Sequence, residues 1–154
     1  MTRTFYVVRH AKAGDRESWS GDDRLRPLTK KGHKQAEQLV TLLEGKRIAA
    51  VFSSPYVRCV QTVEPLARAN RLEVEHRIEL AEGHGLDGAM TFLGNPKLDR
   101  AVLSTHGDIV WELVEELVRR RVVKAGDGGY EKGSTWELQL DGAAIVAARY
   151  SPIE

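Results

Sequence analysis

The stretch FYVVRHAKAG, residues 5–14, changes abruptly from apolar to basic. Its first four residues are aromatic or β-branched, which is typical of a strand that is covered on both faces. Arg9, His10 and Lys12 follow at once, although such groups resist burial unless something compensates their charge. The stretch therefore predicts a buried strand that ends in a cluster of basic side chains.

Short apolar runs and helical patterns alternate along the rest of the chain. Thr29 is predicted to cap a helix that Gly45 ends, and Pro65 is expected to kink or split the next helix. Asp141 and Gly142 form a strong two-residue hairpin signal between two alternating runs. Strands are predicted at residues 4–8, 49–54, 72–74 and 100–106 and in both arms of the hairpin, and helices at residues 30–44, 55–70, 88–93 and 108–121.

This alternation predicts an α/β fold. We expect a three-layer sandwich with a mostly parallel central sheet, helices on both of its faces and a C-terminal antiparallel hairpin. A length of 154 residues suits a single domain, which is predicted to span residues 1–154.

The composition gives no sign of a nucleic-acid or membrane partner. The 23 Lys and Arg residues nearly cancel the 22 Asp and Glu residues, so no strongly basic surface is expected. No apolar run is long enough to span a bilayer, and the N-terminal residues do not have the form of a signal peptide. The single cysteine cannot form an internal disulfide. We therefore predict a cytoplasmic protein, and the sequence leaves its oligomeric state open.

Basic side chains follow three of the predicted parallel strands. Arg9 and His10 end the first, Arg58 lies in the helix after the second, and His106 with Gly107 ends the fourth. In such folds ligands collect at the carboxyl ends of the strands, where these groups are expected to meet. Two arginines and two histidines repel each other unless an anion lies between them, and the planar fork of arginine matches phosphate. The sequence therefore predicts a phosphate site.

Three motifs, VVRHAKAG, SSPYVRCVQTVEPLA and STHGDIV, occur in the order and spacing of a known family. In them the chain resembles the histidine phosphatase superfamily, the phosphoglycerate-mutase-like group, and the likeness covers nearly the whole chain. The short length without an inserted cap is similar to that of the SixA-like phosphohistidine phosphatases. The segments SGDDRLRPLTKKG and KGSTWEL also resemble the histidine-phosphatase domain attached to some MutT-type Nudix hydrolases.

The resemblance implies catalysis through a covalent intermediate. His10 would attack phosphorus and become a phosphohistidine, while Arg9, Arg58 and His106 hold the transferring group. Backbone donors near Gly107 would strengthen this hold. The resemblance implies neither a metal ion nor a cofactor.

A general acid must protonate the leaving-group oxygen, and two glutamates are candidates. The family places such a glutamate in an L-x-E segment, which corresponds to Leu80 and Glu82 in ELAEGHG. Glu82 is therefore preferred over Glu79 as general acid and later as base for water. If neither reaches the leaving group, phosphohistidine becomes the expected substrate, because its imidazole needs less help to leave.

The substrate class stays open at this point. A phosphohistidine or a small phosphomonoester is the first expectation. A nucleotide-type phosphate is the alternative that the Nudix-associated likeness supports. Outside enzymes, the alternative is a regulatory module that binds phosphate without turnover.

Other residues are weaker candidates for the site. Lys12 is a candidate phosphate contact or else a solvated loop cation. Ser134 and Thr135 are candidates because the family often brings this segment to the rim of the pocket. Asp23 and its neighbours are expected to shape their loop, and Cys59 is expected in the core.

Overall fold

A six-stranded mixed sheet lies at the centre of the part of the chain that the structure describes. The structure, a computed structural model, describes residues 2–154, so Met1 of the predicted domain lies outside the described residues. In the sheet the strands follow the order β3-β2-β4-β1-β5-β6. The first four in that order are parallel, and β5 and β6 run antiparallel to their neighbours. The strands are β1 (Thr2–Arg9), β2 (Ala50–Ser53), β3 (Val74–His76), β4 (Ala101–Thr105), β5 (Thr135–Asp141) and β6 (Ala144–Ser151).

Within residues 2–154, four helices cover the two faces of this sheet. The first two helices pack on one face and the last two on the other, which confirms the predicted three-layer α/β sandwich. None of the helices in these residues is long and apolar enough to cross a membrane. The helices are α1 (Lys30–Leu42), α2 (Val57–Ala69), α3 (Gly85–Leu93) and α4 (Gly107–Arg119), with short 3-10 turns at Asp23–Leu25 and Ile78–Leu80.

The strand β1 shows why the opening apolar run is continuous. Phe5 and Val7 belong to the core shared with α3 and α4, whereas Tyr6 and Val8 belong to the core shared with α1 and α2. All four side chains are buried, and full burial of one such side chain stabilises a fold by about 1.5–3 kcal/mol. Because β1 lies between β4 and β5, the residues that follow it emerge near the middle of the sheet edge.

The helix α2 corrects one half of the prediction that Pro65 would kink or split it. The helix is not split and runs without a break from Val57 to Ala69. A proline inside a helix removes one backbone hydrogen bond and crowds the preceding turn. Here Val63 and Leu66, on either side of the proline, are buried in the core, and their packing outweighs that cost.

The strand β3 begins two residues later than predicted. The N–H of Leu72 donates to Ala67 O at 2.8 Å, so this residue still belongs to the C-terminal cap of α2. Arg71 has φ 59°, in the left-handed region that commonly ends helices. Only at Val74 does the chain reach the sheet, where it pairs with Val51.

The hairpin turn lies one residue later than the predicted Asp141-Gly142 pair. Asp141 still pairs with Ala144 in the ladder, which leaves Gly142 and Ala143 as the turn. Gly142 adopts φ 61°, a conformation that costs a glycine little. The antiparallel hairpin itself is confirmed.

Candidate active site

The carboxyl ends of β1, β2 and β4 bring the predicted basic residues together. His10 follows β1, and its backbone N–H donates to Thr105 O at the end of β4 (3.0 Å). Arg58 lies in the first turn of α2, after β2, and His106 is the N-cap of α4, after β4. Because these three strands are parallel neighbours, their ends meet at one edge of the sheet.

A cavity of about 360 Å³ opens at this edge. This volume lies at the small end of the range for ligand pockets, so the cavity suits a small molecule or a single side chain. Arg58 is fully buried beside it, with Nη2 3.8 Å from Glu82 Oε2. The lining residues are Arg9, His10, Arg16, Glu82, His106, Gly107, Asp108, Trp111 and Tyr130.

His10 is a neutral imidazole with one nitrogen left free. The residue is 7% exposed, and its Nδ1 lies 2.8 Å from Ala11 O. A carbonyl oxygen only accepts hydrogen bonds, so Nδ1 carries the proton and Nε2 keeps its lone pair. Burial, together with the neighbouring groups His106, Arg58 and Arg9, lowers the pKa of His10 to about 3. At neutral pH the ring is therefore uncharged and can act as a nucleophile.

His106 is held next to His10 by two neighbours. The two imidazole rings lie 5.7 Å apart, centroid to centroid. Ser54 Oγ is 2.8 Å from His106 Nε2, and Tyr56 packs edge-to-face on the ring at 4.6 Å between centroids. Burial and the nearby Arg58 lower the pKa of His106 to about 3. The site therefore contains two uncharged histidines.

Arg9 and Arg58 each keep one buried N–H group unused. Arg9 Nη1 donates to Tyr130 O (2.7 Å), and Arg58 Nη1 donates to Asp23 O (2.9 Å). Arg58 Nη2 also lies 3.1 Å from Asp23 Oδ2. The Nε atoms of both arginines are buried and have no hydrogen-bond partner within residues 2–154. Buried donors of this kind are costly unless they are used, so the two N–H groups favour an anion in the site.

Gly107 lets the Arg9 guanidinium pack against the start of α4. A Cβ atom at this position would lie 2.6 Å from Arg9 Cζ and 2.7 Å from Arg9 Nε, which is closer than real side chains approach. The first N–H groups of α4 also have no carbonyl partner in the helix. The same spot therefore combines an arginine with backbone donors, and binding of phosphate near Gly107 stays a prediction.

Glu82 lines the cavity, and Glu79 does not. Glu82 Oε1 accepts a hydrogen bond from Arg16 Nη2 at 3.1 Å. Glu79 instead pairs with Arg77 at 3.5 Å. Of the two candidates for the general acid, the one in the L-x-E segment is the one that the fold brings to His10.

The three weaker candidates lie outside the lining of the cavity. Lys12 has an exposed side chain. Ser134 and Thr135 are buried; the hydroxyl of Ser134 donates to Glu131 O, and Thr135 pairs with Val8 in the sheet. Pairing of β5 with β1 encloses this segment in the fold. Thr135 Oγ1 is buried and has no hydrogen-bond partner within residues 2–154.

Sequence reasoning missed several residues around the cavity. Ser54 and Tyr56 lie in the SSPYVR segment beside Arg58, so their spacing from that arginine was a usable signal. Asp23 was expected to shape its loop, and its carboxylate also accepts a hydrogen bond from Arg58. No local pattern indicated that the other lining residues would border the cavity, and these are Arg16, Asp108, Trp111 and Tyr130.

Cys59 belongs to the core, as predicted. It is fully buried, and burial raises the pKa of its thiol to about 12. Its Sγ lies 3.5 Å from His106 Nε2. Cys59 is therefore a neutral thiol that packs against His106.

The fold and the site together define a class of protein. The carboxyl edge of a mostly parallel sheet presents the neutral imidazole of His10, the guanidinium of Arg9 and the carboxyl group of Glu82 around one cavity, and Arg58 is buried beside it. Residues 2–154 contain no group of three or more His, Cys, Asp or Glu side chains that could hold a metal ion. The protein has an α/β fold, and the groups at this edge are of the kind that stabilise a phosphate group.

Comparison with known proteins agrees with this class. The family model described as histidine phosphatase superfamily (branch 1) matches residues 5–92, more than half of the chain. The 8-oxo-(d)GTP phosphatase of Mycolicibacterium smegmatis is 36% identical over 156 residues, covering 97% of this chain and 48% of that protein. The chain thus spans about half the length of this relative. The chain belongs to the histidine phosphatase superfamily.

Further relatives support the predicted likeness to SixA. The phosphohistidine phosphatase SixA homologue of Haemophilus influenzae is 28% identical over 130 residues, 75% of this chain and 77% of that protein. The structure of the protein histidine phosphatase SixA complexed with tungstate has a TM-score of 0.75 at 21% identity and covers 97% of this chain and 95% of that one. At this identity the structural likeness concerns the fold.

Proposed function

We propose that this protein is a phosphatase that acts without a metal ion, through a covalent phosphohistidine on Nε2 of His10. The hydrogen bond from Nδ1 to Ala11 O is the observation that supports the proposal most strongly, because it leaves the Nε2 lone pair free beside the cavity. The lowered pKa of His10 keeps that lone pair unprotonated at neutral pH.

In the first step, Nε2 of His10 forms a bond to phosphorus while the bond from phosphorus to the leaving-group oxygen breaks. The Nε groups of Arg9 and Arg58 donate to the equatorial oxygens, where charge collects in the transition state. Glu82 gives a proton to the leaving oxygen. In the second step Glu82 accepts a proton from a water molecule whose oxygen bonds to phosphorus while the bond from phosphorus to Nε2 of His10 breaks, which releases inorganic phosphate and restores His10.

His106 has a supporting role in this proposal. Its ring borders the cavity 5.7 Å from that of His10, within reach of a phosphoryl group on Nε2. Its Nε2 faces Ser54 Oγ in the resting site. A turn of the ring away from Ser54 allows His106 to donate to a phosphoryl oxygen.

Two substrate classes fit this mechanism. A phosphohistidine or small phosphomonoester is supported by the likeness to the Haemophilus SixA homologue. A nucleotide-type phosphate is supported by the 36% identity, over 97% of this chain, to the Mycolicibacterium 8-oxo-(d)GTP phosphatase. The position of Glu82 in the cavity favours substrates with an oxygen leaving group, since a leaving imidazole has less need of an acid.

Phosphate release in the presence of EDTA tests the mechanism. The panel is a phosphohistidine peptide, an aryl phosphate, sugar phosphates and nucleoside di- and triphosphates. The wild type should turn over at least one class in EDTA, and His10→Ala should lose that turnover by orders of magnitude. His33→Ala is the matched control, because His33 is exposed on α1 and should be dispensable.

Trapping of the intermediate gives a second readout. Radiolabelled substrate should leave an acid-labile label on the wild type and on His33→Ala but not on His10→Ala. Loss of turnover in EDTA, or a label that survives in His10→Ala, would show that the mechanism is wrong. If no substrate were turned over while phosphate still raised the melting temperature, the chain would be a phosphate-binding module instead.

A further inference from the structure

Two large aromatic side chains stand exposed at the mouth of the cavity. Trp111 is 47% exposed and Tyr130 is 44% exposed, and both line the cavity that contains His10. Aromatic surface left in water does not stabilise the folded chain. Exposed aromatic groups that cluster around a polar site commonly mark contact with a ligand.

Helical geometry places Trp111 on the cavity side of α4. Gly107 and Asp108 line the same cavity, and residues three or four positions apart lie on one face of a helix. A different face, with Leu113 and Leu117, packs into the core. The indole of Trp111 makes no hydrogen bond within residues 2–154, so no polar contact in the described chain accounts for its position.

Tyr130 contacts Arg9, which lines the cavity. Its carbonyl oxygen accepts a hydrogen bond from Arg9 Nη1 at 2.7 Å, and its ring lies 5.7 Å from Arg9 Cζ. These two contacts hold the aromatic ring beside the place where a phosphoryl group would bind. A substrate with its phosphate on Arg9 would therefore bring the rest of its structure towards Tyr130.

Arg16 adds a positive charge at the same mouth. Its side chain is 63% exposed, lines the cavity and pairs with Glu82 at 3.1 Å. A leaving group with a phosphate of its own would find a partner in this guanidinium. The mouth thus offers aromatic surface and a cation together, which is the chemistry that recognises a base linked to phosphate.

We propose that Trp111 and Tyr130 bind the base of a nucleotide whose terminal phosphoryl group is transferred to His10. This inference rests on the proposed function and names the substrate class of that site. Any base can stack on an aromatic side chain, since every base has a π face. The volume of about 360 Å³ suits one small molecule better than an extended peptide.

The test compares substrates that differ only in the base. The kcat/KM of guanosine 5′-monophosphate and 5′-diphosphate is measured against that of ribose 5-phosphate and ribose 5-diphosphate. The wild type should prefer the base-bearing member of a pair. In Trp111→Ala that preference should fall by about 5- to 150-fold, the range that loss of one stacking contact produces. Trp111→Phe should restore most of it, and Tyr130→Ala should lower it in the same sense.

A distant exposed residue provides the matched control. Val146 is 55% exposed on β6 and does not line the cavity, so Val146→Ala should keep the wild-type preference. An unchanged preference in both Trp111→Ala and Tyr130→Ala would overturn the proposal. The proposal would also be overturned if the two substitutions lowered kcat/KM only for a phosphohistidine-bearing protein. That result would mean that the two rings dock a protein surface.

Binding separates this inference from the proposed mechanism. The Kd of guanosine 5′-monophosphate and of ribose 5-phosphate is measured on His10→Ala with and without Trp111→Ala. If no turnover exists but base-dependent binding still requires Trp111, the mechanism fails and the base site stands. If His10-dependent turnover exists and the base makes no difference to kcat/KM or Kd, the mechanism stands and the base site fails.

Discussion

Arg9 and Gly107 come from distant parts of the sequence, yet their atoms are packed against each other at the site. Arg9 ends β1, Gly107 begins α4, and a Cβ on the glycine would overlap the guanidinium. Arg9 Nε is also one of the two buried N–H groups proposed to bind the phosphoryl group. The glycine is thus needed for the close approach of a side chain and not for its own backbone freedom.

Gly107→Ala should lower kcat/KM by about 10²-fold, the effect of losing one preorganised donor to a developing oxyanion. The added methyl group displaces Arg9, whose flexible side chain can move, so the free energy of unfolding should change by less than about 1 kcal/mol. Steady-state kinetics and urea unfolding check both values. Gly14→Ala is the control, because no heavy atom lies within 4 Å of a Cβ there. A wild-type kcat/KM in Gly107→Ala would contradict the role given to Arg9.

Glu82→Gln keeps the shape of the side chain but removes its ability to exchange a proton. Hydrolysis of an alkyl phosphate should slow by about 10²- to 10⁴-fold, whereas an aryl phosphate with a good leaving group should be affected much less. Glu79→Gln is the matched control, since Glu79 pairs with Arg77 outside the cavity lining. Equal losses on both substrates would mean that Glu82 orders the site through Arg16 and does not transfer a proton.

The long polar segment between β1 and α1 is held by side chains of the two helices that follow it. Thr62 Oγ1 on α2 accepts from the N–H of Ala11, and Gln35 Oε1 on α1 accepts from the N–H of Lys12, both at 2.9 Å. Gly32 packs directly on this segment, since a Cβ there would lie 2.0 Å from Lys12 O. The position of the nucleophile therefore depends on how α1 and α2 dock, although neither helix lines the cavity.

Gly32→Ala should lower the free energy of unfolding by about 1–3 kcal/mol, because backbone on both sides must move to admit a methyl group. Urea unfolding measures the change. The kcat/KM should fall as well, because His10 lies two residues before Lys12 in the same segment. Gly14→Ala is again the control, in the segment that Gly32 packs against and with open space for a Cβ. Unchanged stability in Gly32→Ala would show that α1 is free to shift away from this segment.

The fold keeps both histidines of the site uncharged, and this couples its stability to pH. Each has its pKa lowered to about 3 by burial, compared with an ordinary value of 6.5 in an unfolded chain. Between these pH values the unfolded chain binds protons that the folded chain does not. The free energy of unfolding therefore rises with pH through this window and falls as the solution is acidified.

Acidification from about pH 7 to about pH 5 should lower the free energy of unfolding. Below about pH 6.5, each of the two histidines should contribute a loss of about 1.4 kcal/mol per pH unit. Urea unfolding in phosphate-free buffers over this range measures the slope. His10→Asn should have a shallower slope than the wild type, whereas His33→Asn, at an exposed position, should match the wild type. Identical slopes for His10→Asn and the wild type would show that His10 is not held neutral by the fold.

Much of this fold is predictable because its patterns are local and strong. The continuous apolar run of β1 indicated a strand covered on both faces, and that strand lies between the two cores. The expectation of a split at Pro65 was wrong because it weighed one lost hydrogen bond without the packing around it. The observed boundaries of β3 and the hairpin turn differ from the predicted ones by one or two residues. Helix caps and strand pairing set these boundaries, and residue propensity does not.

The amino-acid sequence alone determined the α/β class, the family resemblance and the meeting of Arg9, His10, Arg58 and His106, since parallel strands necessarily deliver their carboxyl ends to one edge. The tertiary structure was needed to show which nitrogen of His10 is free, that Asp23 binds Arg58 and that Trp111 and Tyr130 border the cavity. These features depend on contacts between segments far apart in the chain. Local spacing carries no information about such contacts, because the distance between two side chains is set only when helices and sheet pack.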